Sequence, residues 1–298
     1  MNVFVTGATG YLGSAVVQEL LQAGHQVTGL ARSDRGAAQL RAAGANAHRG
    51  ALQDLASLKA GAAAADGVIH LAFIHGFPGF LLAPGKDAKA IDALGSALAG
   101  TGKALVVAGG VHGLRPGQTL TEEYIPNYRK VPRKSEQAVL AWAARGVRAS
   151  VIRLPPSVHG QGDKGFVAWI VARARKNGAA VFAGDGRQRW AAVHRLDAAR
   201  LFRLALENGA AGGIYNGVGD EGVAFGDIAA AIGKGIGVPC VSKSSWGAVR
   251  SLGLLLGLLA RMDCPASSRL TQQALNWSPT EKGLLDDLNS GNYFGVSS

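Results

Sequence analysis

Short apolar runs alternate with amphipathic stretches along the first half of the chain, and the alternation predicts strand and helix in succession. Val3 and Val5 point one way on a strand and Phe4 the other, so both faces are apolar. Leu12, Val16, Leu20 and Leu21 then recur at helical spacing. Further strands are predicted over 26–31, 45–48, 67–72, 104–108 and 147–154. Helices are predicted over 35–43, 54–60, 86–100 and 135–145, the last entered through Pro132 near its first turn. Strands apolar on both faces and separated by helices are the mark of a parallel sheet covered on both sides.

Beyond Pro155 and Pro156 the pattern loosens. Helices are expected over 166–177, 196–207 and 225–236, with a turn at 184–186 and a strand over 214–218. A glycine- and leucine-rich stretch runs from 246 to 261. The fold class is therefore α/β: a Rossmann-type, doubly wound parallel sheet with a smaller C-terminal substrate lobe. Residues 1–154 would form the dinucleotide-binding domain, with 193–220 returning to it, and 155–298 mainly the substrate lobe. Trp169, Phe182, Trp190 and Trp246 suggest an apolar pocket in that lobe.

The junction of the first strand and first helix carries glycines three apart, Gly7, Gly10 and Gly13. Gly7 permits a sharp turn, Gly10 lets backbone N–H groups approach a pyrophosphate, and Gly13 lets the helix pack closely. With Thr9, Tyr11 and Leu12 between them, these residues form a phosphate loop at a helix N-terminus, where unpaired donors meet the positive dipole end. A chain with 43 glycines makes such spacing weak evidence by itself, and the strand-to-helix context is what strengthens it. The second strand ends in Ala31-Arg32-Ser33 rather than in the acidic residue that accepts both ribose hydroxyls in NAD-binding folds. Arg32 can fork onto a 2′-phosphate and Ser33 can donate to it, so the expected cofactor is NADP(H).

Charge and composition change this picture little. The net charge of +11 comes from scattered cations with no nucleic-acid motif, and it reads as a basic surface favouring an anionic cofactor. Two cysteines, Cys240 and Cys264, make no disulfide framework. A strand predicted from residue 2 leaves no room for a leader, and a cytoplasmic protein is expected. The longest apolar run, 252–260, is too short to span a bilayer and reads as a buried helix or part of a pocket wall. The seven histidines show no metal-ligand spacing, so no metal is expected.

Several segments in order resemble the extended and atypical short-chain dehydrogenases/reductases, the NAD-dependent epimerase/dehydratase-like group. They are 6–13, His70-Leu71-Ala72, Arg153-Leu154-Pro155-Pro156-Ser157-Val158-His159-Gly160, 193–199 and Asn276-Trp277-Ser278-Pro279. The resemblance implies cofactor contacts from Leu71, Ala72, Pro155, Ser157 and Val158, the last three near the nicotinamide. It also implies a small-molecule substrate under the second lobe, and a homodimer built on the helices over 86–100 and 135–145. The acidic residue that often reads adenine is absent after Gly50, leaving apolar contact from Leu52.

The family's usual chemistry needs a Tyr with a Lys four residues later, and a Ser or Thr after the fifth strand. Anchored on Ser135-Glu136-Gln137, the Tyr position falls on Tyr128 and the Lys position on Pro132, while the fifth strand runs into Gly109 and Gly110. Lys130 and Lys134 could approach Tyr128 only from another register. Tyr128 is the candidate acid/base, but a tyrosine near neutrality needs an ammonium beside it. His112, Ser157 and His159 are weaker candidates, whereas His194 and Asp197 read as a network anchoring the helix that follows. The reading is an NADP(H)-dependent oxidoreductase, a reductase of a small or hydrophobic carbonyl or imine. The alternatives are a non-catalytic NADP(H) sensor, or an isomerase or lyase on the same fold.

Overall fold

The computed structural model describes residues 1–73, 79–111, 117–129, 131, 133–291 and 293–294, with side chains at 79–84 outside the description. The first half runs β1 (Asn2–Thr6), α1 (Tyr11–Gln22), β2 (Gln26–Ala31), α2 (Asp34–Ala42), β3 (Asn46–Arg49) and α3 (Leu55–Ala63). It continues with β4 (Gly67–His70), α4 (Gly79–Leu98), β5 (Ala104–Gly110), α5 (Ser135–Leu140) and β6 (Arg148–Leu154). The second half begins with β7 (Ser157–His159), α6 (Phe166–Asn177), β8 (Ala180–Ala183), β9 (Arg189–His194), α7 (Arg195–Asn208) and β10 (Gly213–Asn216). It ends with β11 (Asp220–Ala224), α8 (Phe225–Ile236), β12 (Cys240–Lys243), α9 (Ser245–Leu252), α10 (Leu254–Leu259), α11 (Arg269–Leu275) and α12 (Leu284–Asn289).

Among the described residues, β10-β6-β5-β4-β1-β2-β3 form one sheet, and every neighbouring pair in it is parallel. The two apolar faces expected of β1 are real. Val3 and Val5 join the core that includes Val16 and Leu20 of α1 and Phe202 of α7, whereas Phe4 joins Leu58 of α3 and Leu94 of α4 on the other side. A fully buried aliphatic side chain contributes about 1.5–3 kcal/mol. That burial explains how β4, only four residues long and buried throughout, stays in the sheet. The strand order reverses between β1 and β4, the switch point outside which open α/β sheets bind ligands.

The predicted elements shift where tertiary contacts intervene. The strand over 67–72 stops at His70, because the Ala72 N–H turns to the Thr6 hydroxyl at 3.3 Å. The helix over 86–100 begins at Gly79. The helix over 135–145 ends at Leu140 and tightens into a 3-10 turn at Ala143–Arg145. There Trp142 is buried, its indole donating to Asp92 at 3.3 Å. The strand over 214–218 stops at Asn216, whose side-chain amide donates to the Ser267 carbonyl at 2.8 Å. Pro132 lies outside the described residues, and α5 starts at Ser135.

The second half adds β11-β9-β7 and β12-β8, while β10 returns to the main sheet beside β6. Two sequence expectations for this half are met only in part. Trp190 lines no pocket: it is fully buried, edge-on to Phe225 at 5.0 Å, with its indole N–H on the Leu259 carbonyl. Trp246 is 68% exposed, whereas Trp169 lines an open apolar groove with leucines of the 252–256 segment. The 252–260 run is no single buried helix, because it breaks at Gly253 (φ +89°) into α9 and α10, but it is part of a pocket wall: Leu252, Leu254, Leu255 and Leu256 line a groove with Trp169. Leu252 and Leu256 turn inward while Leu254, Leu255 and Leu258 are exposed. The periodicity of the run was masked by apolar residues on both sides of the hairpin.

The His194 and Asp197 network is structural, as the sequence suggests. His194 caps α7, and the buried Asp197 carboxylate accepts from the Thr280 and Glu281 N–H groups at 3.0 Å and from Arg200 at 2.7 Å. The Trp277 indole donates to the Asp197 carbonyl, tying the C-terminal segment to the helix.

Asp263 holds the loop before α11 in a similar way. It accepts from Arg189 Nε at 3.0 Å and Nη2 at 2.9 Å, and from the Arg189 and Gly117 N–H groups at 2.9 Å. The Arg189 hydrogen bonds hold its carboxyl at about 2, against the opposing effect of burial. Its stabilisation is therefore complete above an unfolded-state value of about 4 and is lost as the pH falls toward about 2. Discounted for the partly exposed guanidinium, the contribution is about 1–2 kcal/mol. Urea unfolding across pH 7 to 2 should show Asp263→Asn destabilised by that amount at pH 7, with most of the difference from wild type gone at pH 2.

Candidate functional site

The glycine loop closes on itself through backbone contacts. Gly7 sits at φ +71°, and a Cβ there would lie 2.8 Å from the Ala72 nitrogen. A Cβ on Gly13 would lie 2.0 Å from the Gly7 carbonyl oxygen, so this glycine serves the approach of α1 to the turn. Gly10 differs, because its added Cβ would meet only the Gly7 oxygen, at 3.1 Å. Its lack of a side chain opens the outer side of the loop, where Thr9 and Gly10 are exposed. No side chain caps α1, and its first turn holds no acidic residue. The N–H donors of such a turn have no intrahelical partner and point outward.

Polar atoms left without partners lie beside this loop. The Tyr11 hydroxyl and Ser157 Oγ are buried with no hydrogen-bond partner. Arg195 lies over the Tyr11 ring at 4.9 Å, and burial pushes the Tyr11 phenol well above its ordinary value. Leu71 and Ala72 are half-buried next to Gly7, and Pro155 and Ser157 are buried after β6. Val158 packs against the core on the α1 side. Of these residues, Leu71 and Ala72 lie against Gly7 itself. His159 is turned elsewhere, its Nδ1 3.0 Å from Asp287.

Past the end of β2, Arg32 and Ser33 are exposed. Ser33 caps α2 by accepting the Gly36 N–H at 3.2 Å, which leaves its own hydroxyl hydrogen available to donate. Asp34 pairs with Arg49 at 3.4 Å, and Leu52 is half-buried nearby in the chain after β3.

At the carboxyl ends of β5 and β6 a cleft is walled by Gly109, Gly110, Tyr128, Arg133, Glu136 and Arg153. Arg153, 1% exposed, forks onto Glu136 with Nε at 2.8 Å and Nη2 at 2.7 Å. The Tyr128 hydroxyl donates to the same carboxylate at 2.7 Å. Burial, and then the Glu136 hydrogen bond and charge, push the Tyr128 phenol far above its usual value. Lys134 does not approach the phenol: its ammonium donates to the Tyr128 carbonyl. Lys130 and His112 lie outside the described residues.

A second chain of polar groups runs behind this wall. Thr6 Oγ1 pairs with His70 Nδ1 at 2.7 Å, and His70 Nε2 lies 3.3 Å from Asp87. Ser135 donates to the other Asp87 oxygen and accepts from Arg133 Nε at 2.7 Å. Arg133 Nη2 donates to the Ala108 carbonyl at 2.6 Å, placing its guanidinium against the end of β5. Burial raises the Asp87 carboxyl, but His70, Arg133 and Ser135 outweigh it and hold the group below its ordinary value.

Sequence spacing pointed to Tyr128 and passed over Arg133, Glu136 and Arg153. One signal was available: Arg153 follows Val151 and Ile152 near the end of a strand expected to be buried, and a charge on a buried strand requires a buried counterion. Among the described residues, no three His, Cys, Asp or Glu side chains are grouped to hold a metal ion, and no helix is long and apolar enough to cross a membrane.

Comparison with known proteins places this geometry. The NAD dependent epimerase/dehydratase family matches residues 3–217. The uncharacterized protein C2A9.02 of Schizosaccharomyces pombe is 46% identical over 99% of this chain and 100% of its own length. A 4-hydroxy-2-methyl-3-oxo-4-farnesyl-3,4-dihydroquinoline-1-oxide ketoreductase from Stigmatella aurantiaca is 26% identical, over 72% of this chain and 67% of its own. Among solved structures, the UDP-glucose-4-epimerase of Stenotrophomonas maltophila with bound NAD superposes at a TM-score of 0.77. It shares 19% identity and covers 98% of this chain and 97% of its own, a likeness of fold.

Proposed function

Because the chain belongs to the NAD dependent epimerase/dehydratase family, we propose that it is an NADP(H)-dependent reductase of a small carbonyl or imine compound. The observation that carries the reading is the uncapped N-terminus of α1, opened by Gly10 at the switch point of the sheet. The unpartnered Tyr11 and Ser157 hydroxyls supply polar partners for a bound dinucleotide. A nicotinamide cofactor is the family's common property, and the distant ketoreductase supports reduction over epimerisation. When bound, the reduced cofactor supplies the hydride.

This chain's residues hold the cofactor's phosphates at Gly10, Tyr11 and Leu12, and its 2′-phosphate at Arg32 and Ser33. Phosphorylated cofactor is favoured because Arg32 is exposed and Ser33 keeps a donor, with no carboxylate at Ala31 to bind ribose hydroxyls. Arg32→Ala should weaken NADPH binding about 10- to 100-fold, the loss of one charge-assisted contact of about 1.5–3 kcal/mol. NADH binding should be unchanged, as read by nucleotide fluorescence titration. Tighter binding of NADH than of NADPH to the unaltered protein would sink the assignment.

Tyr128 is placed on the cleft wall, but its proton is directed at Glu136 and its raised pKa opposes ionisation. Solvent is then the nearer source of the proton that completes reduction. The same bond favours the second reading, a sensor that binds NADP(H) without turning it over. Mixing the protein with NADPH and a panel of carbonyl compounds separates the two by loss of absorbance at the reduced-nicotinamide band. Tight binding with no consumption across the panel would favour the sensor.

A further inference from the structure

We propose that Arg133 anchors a carboxylate of the substrate, so that the compound reduced is an oxo acid. The proposal rests on the reductase reading above. It is carried by how the guanidinium is held. Its Nε edge is spent on two neutral acceptors, Ser135 Oγ at 2.7 Å and the Ala108 carbonyl at 2.6 Å. An arginine has five N–H donors, so three remain: the two on Nη1 and the second on Nη2, at the Nη1–Nη2 end, have no protein acceptor among the described residues. That end is the geometry that forks onto a carboxylate.

Its electrostatic partner, the buried Asp87 carboxylate, makes no direct ion pair with it. Asp87 lies behind Ser135, bound to its hydroxyl and to His70. Glu136, the carboxylate on the cleft wall, is taken by Arg153 and Tyr128. Arg133 therefore lines the cleft as a half-buried cation with no carboxylate touching it. Phe73 covers one face of the guanidinium at 4.2 Å, which orients it without neutralising it. A substrate carboxylate would add a direct ion pair to the Asp87 contact made through Ser135.

The position is equally telling. Arg133 reaches the end of β5, where Gly109 and Gly110 leave no hydroxyl, and it stands one residue from Pro132 at the usual lysine position. The Ser135-Asp87-His70-Thr6 chain fixes the guanidinium from behind and ends at the strand that leads into Gly7. In the reaction, the carbonyl carbon gains a hydride and its oxygen a solvent proton. The oxo acid becomes a hydroxy acid, the nicotinamide is oxidised, and the carboxylate on Arg133 is unchanged.

Oxamate serves as the probe, with binding measured by calorimetry in the presence and absence of NADP. Wild type should bind oxamate, and Arg133→Gln should lose at least 10-fold in affinity while NADPH binding is retained. Arg133→Lys, which keeps the charge but not the fork, should fall between them and control for folding. Oxamate should also protect Arg133 from phenylglyoxal, as read by peptide mass mapping. Absence of oxamate binding to wild type, or equal binding to Arg133→Gln, would overturn the proposal. The two readings fail separately. Oxamate binding lost in Arg133→Gln, with no NADPH consumed by any carbonyl, keeps the anion site and removes the reductase. Consumption of NADPH with an oxo acid, unaffected by Arg133→Gln, keeps the reductase and removes the anion site.

Discussion

Glu136→Ala should cost about 3–5 kcal/mol of stability, because it strips the counterion from a buried guanidinium. Arg153 is 1% exposed, and both of its charged contacts are to Glu136. Its remaining donors go to the Thr121 and Tyr124 carbonyls, which cannot neutralise it. The Tyr128 hydroxyl would lose its acceptor in the same variant. Urea unfolding measures the loss. Pairing Arg153→Met with Glu136→Leu should recover much of it, since replacing both partners removes the uncompensated charge. A loss under 1 kcal/mol for Glu136→Ala alone would show that water reaches Arg153 in solution.

Gly13→Ala is expected to be the most damaging change in the glycine loop. The new Cβ would sit 2.0 Å from the Gly7 carbonyl oxygen, and Gly7 cannot retreat because Leu71 and Ala72 close behind it. Overpacking against backbone costs about 3 kcal/mol or more when neither side can give. Moving α1 away from the turn would also displace the N–H donors proposed to bind phosphate, so NADPH affinity should fall roughly 100-fold, about 2.7 kcal/mol. Gly10→Ala separates the two effects. Its Cβ meets only one atom at 3.1 Å, so stability should stay near wild type while NADPH binding weakens. Denaturation and nucleotide titration on both variants test the distinction, and equal loss of stability in the two would refute it.

The layered fold was legible because its signals are local. Strand β1 and helix α6 follow from the order of apolar residues within each segment, and the turn at Gly7 from a single residue's freedom at positive φ. Elements whose ends depend on distant partners were misplaced. Residues 71–72 leave the sheet for Thr6, and α5 gives way to a tight turn around Trp142. Trp190 and Trp246 show the same limit: one is sealed in the core and one faces outward, and nothing in their immediate neighbours distinguishes them.

For the site, the sequence by itself determined the glycine turn between β1 and α1 and the absence of the usual hydroxyl and lysine at Gly109 and Pro132. Such features are matters of spacing along one strand–turn–helix unit. Only the tertiary structure decided what stands in the cleft instead. Arg133, Ser135 and Asp87 meet across 48 residues of chain, and Arg153 reaches Glu136 across 17. The physical reason is that a charge chooses its partner by distance in space, and the parallel sheet sets that distance by bringing consecutive strand ends to one edge.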